Sequence, residues 1–142
     1  MGIDILDDPE AWITAWQEHL NDSDEYAEAG EGWGVDFEGS FLFEVTPAGA
    51  LDEPMYFYVD PHDGEIREAR VVDDPESVDY GFRYTGDFDS WKKLIQGEVG
   101  AIDGLMGGDF EVDGDMQKVL QYSQAATVMT GAAAEIDTEF PE

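Results

Sequence analysis

The chain contains no cysteine, which excludes disulfide bonds and thiolate metal sites and leaves the redox compartment open. Positive charge is almost as scarce, with 6 lysines and arginines against 35 aspartates and glutamates and a formal net charge of −29. Direct nucleic-acid binding needs basic side chains to release the counterions condensed on phosphates, and no basic stripe is present to do so. The two histidines, His19 and His62, stand far apart and cannot form a metal cluster without help from carboxylates. No secretory leader and no apolar run of spanning length occurs, so the expectation is a soluble, cytoplasmic chain without stable membrane insertion. Also missing are a Gly-x-Ser-x-Gly elbow, a phosphate-binding Gly-Lys-Ser loop, a zinc-binding His-Glu-x-x-His and a nucleophilic thiol. These absences lead us to expect neither catalysis nor a cofactor.

What is present is a core. A chain of 142 residues is one ordinary domain, able to bury about two thirds of the surface its unfolded form exposes. Four tryptophans, six tyrosines and eight phenylalanines within a 42% hydrophobic composition argue against disorder. The acids are spread over the whole length and therefore describe a surface, not a tail. Their mutual repulsion is screened in molar salt, where the Debye length falls to about 3 Å, so a high-salt cytoplasm of the haloarchaeal type is the simplest setting. A different use of the same charge would be an acidic protein–protein interaction module with no small-molecule ligand.

Residues 7–21, DDPEAWITAWQEHLN, have the pattern of a helix. Asp8 can cap it, Pro9 suits its first turn, and Trp12, Ile13, Trp16, His19 and Leu20 share one face as core packing. DSDEYAEAGEG continues as a weak acidic helix or loop. From Trp33 the period becomes twofold: Val35, Phe37, Phe41, Phe43 and Val45 have one parity, which predicts a long strand with Gly39 as a bulge. MYFYV and EIREARVV are predicted as strands flanking the turn DPHDG, with His62 solvated at its tip, and YGFRYTG is a fourth strand. The four are expected to run as a meander. Helices follow over residues 86–97, capped by Asp87 or Asp89, and through Val99, Ile102, Leu105 and Met106. A fifth strand holds Phe110 and Val112, and Asp115 caps a single long helix over residues 116–135. The fold class expected is α+β: a five-stranded, mostly antiparallel sheet covered on one side by helices, in a single domain over 1–142 with residues 1–6 and 136–142 frayed.

GGDFEVDGDMQKVL, residues 107–120, imitates part of a calcium loop through Asp109, Glu111, Asp113 and Gly114. The twelfth position, where such a loop needs a bidentate glutamate, is Leu120, so the stretch is better read as turn, short strand, turn and capped helix, with Leu120 facing the interior. Met106, Met116 and Met129 add soft apolar side chains to the last third of the chain. They either fill a core or line a cavity of about 300 to 1,000 Å³ between sheet and helices.

The same stretch carries a family resemblance. DFDSWKKLIQG, with Phe88, Trp91, Leu94 and Gly97, and then GGDFEVDGDMQKVL, with Gly108, Phe110, Val112, Gly114, Asp115 and Leu120, resembles the second half of the SCP-2 (sterol carrier protein 2) lipid-transfer family. The resemblance implies a five-stranded sheet covered by helices around an apolar tunnel that carries a lipid, such as an acyl or isoprenoid chain. The residues expected to line it are Phe41, Phe43, Phe57, Phe82, Trp91, Ile102, Leu105, Met106, Met116, Leu120 and Met129. The alanine- and threonine-rich last helix departs from the family's pattern, so the ligand need not be a sterol.

The charge argument is testable by thermal unfolding. Raising potassium chloride from about 0.1 M to about 1 M shortens the Debye length from about 10 Å to about 3 Å. The melting temperature is expected to rise with it, and a midpoint indifferent to salt would count against a salt-screened acidic surface.

Overall fold

The structure is a computed structural model describing residues 2–35, 37–49 and 51–140, without the side chains of Ala101 and Ile102. The first strand, β1 (Ile3–Asp4), leads into α1 (Pro9–Asn21) and α2 (Asp24–Ala29). Then come β2 (Phe41–Thr46), β3 (Met55–His62), β4 (Glu65–Val72) and β5 (Phe82–Asp87). Helices α3 (Phe88–Ile95) and α4 (Ala101–Gly107) precede β6 (Phe110–Asp113), and α5 (Met116–Gln121), α6 (Ser123–Glu135) and β7 (Thr138–Glu139) complete the chain. As the spacing predicted, Asp8 accepts from the Ala11 N–H, Asp87 from the Ser90 N–H and Asp115 from the Gln117 N–H, which satisfies donors that each helix start leaves unpaired.

The main sheet has five strands in the order β4-β3-β2-β5-β6. It is α+β as expected, but it is not a meander. After β4 the chain crosses back, through a 3₁₀ turn at Pro75–Ser77, and β5 pairs parallel to β2 with Phe41 opposite Phe82 and Phe43 opposite Tyr84. The other three pairs are antiparallel. The reason lies in the inner face: this order sets Phe41, Phe43, Phe57 and Tyr84 side by side, where a meander would have parted β2 from β5. The β3–β4 hairpin turns on Asp63 and Gly64, both with positive φ (48° and 84°), the geometry that matches strand twist in a two-residue loop. On the opposite face Leu42 is completely buried in a row with Tyr58, Arg70 and Arg83. There the Arg83 guanidinium donates to Glu44 at 2.7 and 2.8 Å, and Arg70 lies over the Tyr58 ring.

Several predicted elements end differently. The expected strand from Trp33 begins only at Phe41, because the Trp33 indole N–H donates to the Gly39 carbonyl at 2.9 Å and its ring stacks on Phe41, at the start of the central strand. Gly39 is thus an acceptor before the strand and not a bulge within it, and Val35 is exposed. His62 is not a solvated tip residue; it closes β3, and its Nδ1 is buried. The single last helix is two, broken at Tyr122 (φ −106°, ψ 34°), whose ring packs edge-on against Trp33 at 5.2 Å. The ends are not frayed throughout: Ile3 and Asp4 pair in parallel with Thr138 and Glu139, and the Trp12 indole N–H donates to Thr138 Oγ1 at 2.7 Å.

Phe110 organises the stretch that imitated a calcium loop. Its ring occupies the space that a Cβ on Gly86 of β5 or on Gly104 of α4 would need, approaching those positions to 2.4 and 2.6 Å. The two glycines therefore let α4 close directly onto the sheet with one aromatic ring between them. In an ordinary helix a Gly-to-Ala change adds about 0.8 to 1.0 kcal/mol of stability. Gly104→Ala is expected to do the reverse and cost about 1 to 3 kcal/mol, because the ring is gripped from both sides and cannot yield. Urea unfolding in molar salt reads the sign, and a stabilised variant would show that the ring moves freely.

Candidate functional site

Between the inner face of the sheet and the helices lies a cavity of about 100 Å³ with no polar wall surface. Its floor is Phe41, Phe43 and Val45 of β2 with Met55, Phe57 and Tyr84. Its roof is α1, through Trp12, Ile13 and Trp16, and α6, through Ala126, Met129, Thr130 and Ala133. Helix α6 packs against all five other helices, and its small face, with Ala125, Ala132 and Ala133 buried, brings them close while filling little of the space beneath. The Thr130 hydroxyl is turned back to the helix carbonyls of Ala126 and Thr127, at 3.2 and 3.0 Å, and so adds no polar group to the wall.

Tryptophan N–H bonds hold this wall in place. Trp16 donates to the Met129 carbonyl at 3.1 Å and joins α1 to α6, while Trp91 of α3 donates to the Glu44 carbonyl at 2.9 Å and joins α3 to β2. Each bond satisfies the indole at its rim and turns the apolar ring to the cavity, where leaving the donor unpaired would cost about 1 to 3 kcal/mol. Phe43 then meets Trp16 and Trp91 edge-on at 6.3 and 5.4 Å. At the outer end of α1 the His19 Nε2 lies 2.6 Å from Glu135 of α6, on the surface.

Of the residues expected at the site, Phe41, Phe43, Phe57, Trp91, Leu105 and Met129 line this cavity. Phe82 does not: it is buried in a neighbouring cluster with Trp33 and Val119, at the end of β5 that the folded-back Trp33 loop covers. Met116 packs on that same cluster. Met106 is 70% exposed and Leu120 41% exposed, so neither faces the interior. Both sit one position beyond a residue that does, Leu105 and Val119, and a step of one on a helix turns the side chain away by more than a quarter turn. The Ile102 side chain lies outside the described residues. Sequence reasoning took Trp12, Ile13 and Trp16 for solid core, although two indole N–H groups on one apolar helix face, each needing an acceptor, were a signal that this face had rims to reach. Among the described residues, no group of histidine and carboxylate side chains is placed to hold a metal, and no helix is long and apolar enough to cross a membrane.

A second, smaller cavity of about 30 Å³ adjoins the first, lined by Tyr26, Trp33, Pro61, Tyr122 and Ala125 together with Phe41, Val119, Ala126 and Met129. Burial pushes the phenols of Tyr26 and Tyr84 well above the usual tyrosine range.

The fold is thus an α+β sandwich that closes an apolar cavity under a small-faced helix. Residues 17–127 match the SCP-2 sterol transfer family, and the chain belongs to that family. It is similar to the crystal structure of a sterol carrier protein 2, with 27% identity, a TM-score of 0.79 and coverage of 89% of this chain and 96% of that one. A conserved protein from Thermus thermophilus, solved in solution, is 26% identical with a TM-score of 0.79, covering 92% of this chain and 89% of that one. Sterol carrier protein 2 like 2 from Aedes aegypti shares the fold at 15% identity, with a TM-score of 0.54 and coverage of 84% and 97%. No curated protein matches the chain.

The buried phenols make the fold sensitive to alkali. With the folded-state values raised above the roughly 10 of an unfolded tyrosine, their contribution is complete below about pH 10 and is lost as the pH rises beyond it. Denaturant midpoints are therefore expected to fall above about pH 10, and to fall less steeply in Tyr84→Phe. An equal slope in the variant would mean that Tyr84 ionises without penalty.

Proposed function

We propose that this protein is a non-enzymatic carrier of an apolar, lipid-like ligand, an acyl or isoprenoid chain held in the internal cavity. The observation that carries the reading is the wall itself: three tryptophans with their N–H groups committed elsewhere, phenylalanines, aliphatic side chains, and no polar surface. Such a wall offers a substrate no acid, base or nucleophile, but it rewards every methylene brought out of water by about 0.8 kcal/mol. Membership in the SCP-2 sterol transfer family supports the same reading.

The cavity is far below the roughly 300 to 1,000 Å³ of a typical small-molecule site, so the ligand makes its own room. The parts able to give are the unbranched side chains Met55 and Met129. The net charge of −29 fits a protein that works in a high-salt cytoplasm, where it remains soluble while carrying an apolar cargo.

Extraction of the purified protein with organic solvent, followed by mass spectrometry, is expected to find bound lipid, and a fluorescent acyl probe is expected to bind the emptied protein in molar salt. Ala133→Phe places a ring inside the cavity and should weaken the probe at least tenfold. A folded protein that holds no lipid and binds no probe would sink the carrier reading, whereas binding unaffected by the filled cavity would place the ligand elsewhere.

A further inference from the structure

The two cavities share four wall residues, Phe41, Val119, Ala126 and Met129, and these four differ in how far they can move. Phe41 is held in an aromatic stack, with Trp33 at 5.6 Å and 9°, Phe43 at 5.5 Å and Phe82 at 5.2 Å. Val119 is buried and, as a β-branched residue in a helix, has essentially one side-chain rotamer. Ala126 has no side-chain torsion to turn. Met129 alone among the four has a long unbranched side chain with three rotatable bonds and a thioether that adapts to irregular apolar surroundings. Its backbone cannot shift easily, because its carbonyl accepts from the Trp16 indole at 3.1 Å and so ties α6 to α1. Rotation of its side chain therefore requires no movement of the helix.

Neither chamber suffices alone, and the two together still require side chains to move aside: a cavity of about 150 Å³ holds one benzene, and the chambers measure about 100 and 30 Å³. Joined, they run from beneath Ile5 and Phe88, which line only the larger, to beneath Tyr26 and Pro61, which line only the smaller. Such a passage suits a ligand one chain wide. A broad, rigid molecule would have to break the Trp33–Phe41 stack to use both chambers.

We propose that Met129 is the gate between the two chambers and determines chain length: the ligand is a flexible linear aliphatic chain whose far end passes Met129 into the space under Tyr26 and Trp33. This inference rests on the carrier reading and adds the chain's form and the residue that selects its length. The stack makes Phe41 the fixed jamb and Met129 the moving leaf.

The test is binding of n-alkanols from eight to sixteen carbons, read by calorimetry in molar salt on the lipid-stripped wild type and on Met129→Ile and Met129→Ala. Each protein's affinities are normalised to its own eight-carbon value, and near-UV circular dichroism checks that each has folded. In the wild type the affinity should rise about fourfold per added methylene while the chain finds room. Met129→Ile nearly preserves volume but stiffens the side chain at Cβ, so its rise should stop several carbons earlier. Met129→Ala opens the partition and should keep rising at least as far as the wild type. Identical length dependence in the folded variants overturns the gate and leaves the carrier reading standing, whereas absence of alkanol binding to the wild type at every length overturns both. Should Met129→Ile fail to fold, Met129→Ala and the wild type still decide: a wild-type rise ending where the first chamber fills, with the alanine variant ending at the same carbon, overturns the proposal.

Discussion

Each of the four tryptophans is held by its indole N–H, and the shape of the interior follows from those four bonds. Trp16 joins α1 to α6, Trp91 joins α3 to β2, Trp12 joins α1 to the C-terminal strand and Trp33 closes its own loop onto Gly39, just before the central strand. An indole pinned at its rim cannot slide inward to fill a void. Tightly packed interiors leave few gaps larger than a water molecule, yet here side chains large enough to fill the gap are fixed around it. The cavity is therefore a consequence of where tryptophan must put its one donor.

Around that constraint the rest of the molecule divides its tasks. The sheet supplies an aromatic floor because the parallel pairing of β2 with β5 sets Phe41, Phe43 and Tyr84 in adjacent registers. Helix α6 supplies closeness without bulk through its alanines, and α4 approaches the sheet over Phe110 because Gly86 and Gly104 make room for one ring. The far face of the sheet is a different surface, where Arg83 with Glu44 and Arg70 with Tyr58 cover the buried Leu42.

The local features were readable because they rest on local chemistry. Asp8, Asp87 and Asp115 cap helices because a short acid three or two positions before an unpaired N–H can reach it, whatever lies elsewhere. Phe110 was placed in a strand and is buried in one. The errors concern what distant residues do. The strand predicted from Trp33 was cut short by an indole bond and a stack on Phe41, the long last helix was broken where Tyr122 turns to the same indole, and Met106 and Leu120 point away from the cavity while Leu105 and Val119 face it. Twofold and helical periods tell which side chains share a face, but a helix of six or seven residues has too few positions to say which neighbour that face will meet.

By itself, then, the sequence determined the class of the fold, the capped starts of α1, α3 and α5 and the likeness to the family, since composition, caps, periodicity and the Gly-Phe-Val-Gly-Asp spacing act over a few residues at a time. Only the tertiary structure decided that β5 lies parallel to β2, which apolar residues surround empty space, and that Met129 stands between two chambers. The physical reason is that solid packing and a lined cavity use the same apolar side chains. Which of the two results depends on hydrogen bonds and stacks between residues as far apart as Trp16 and Met129, and no period along the chain records that pairing.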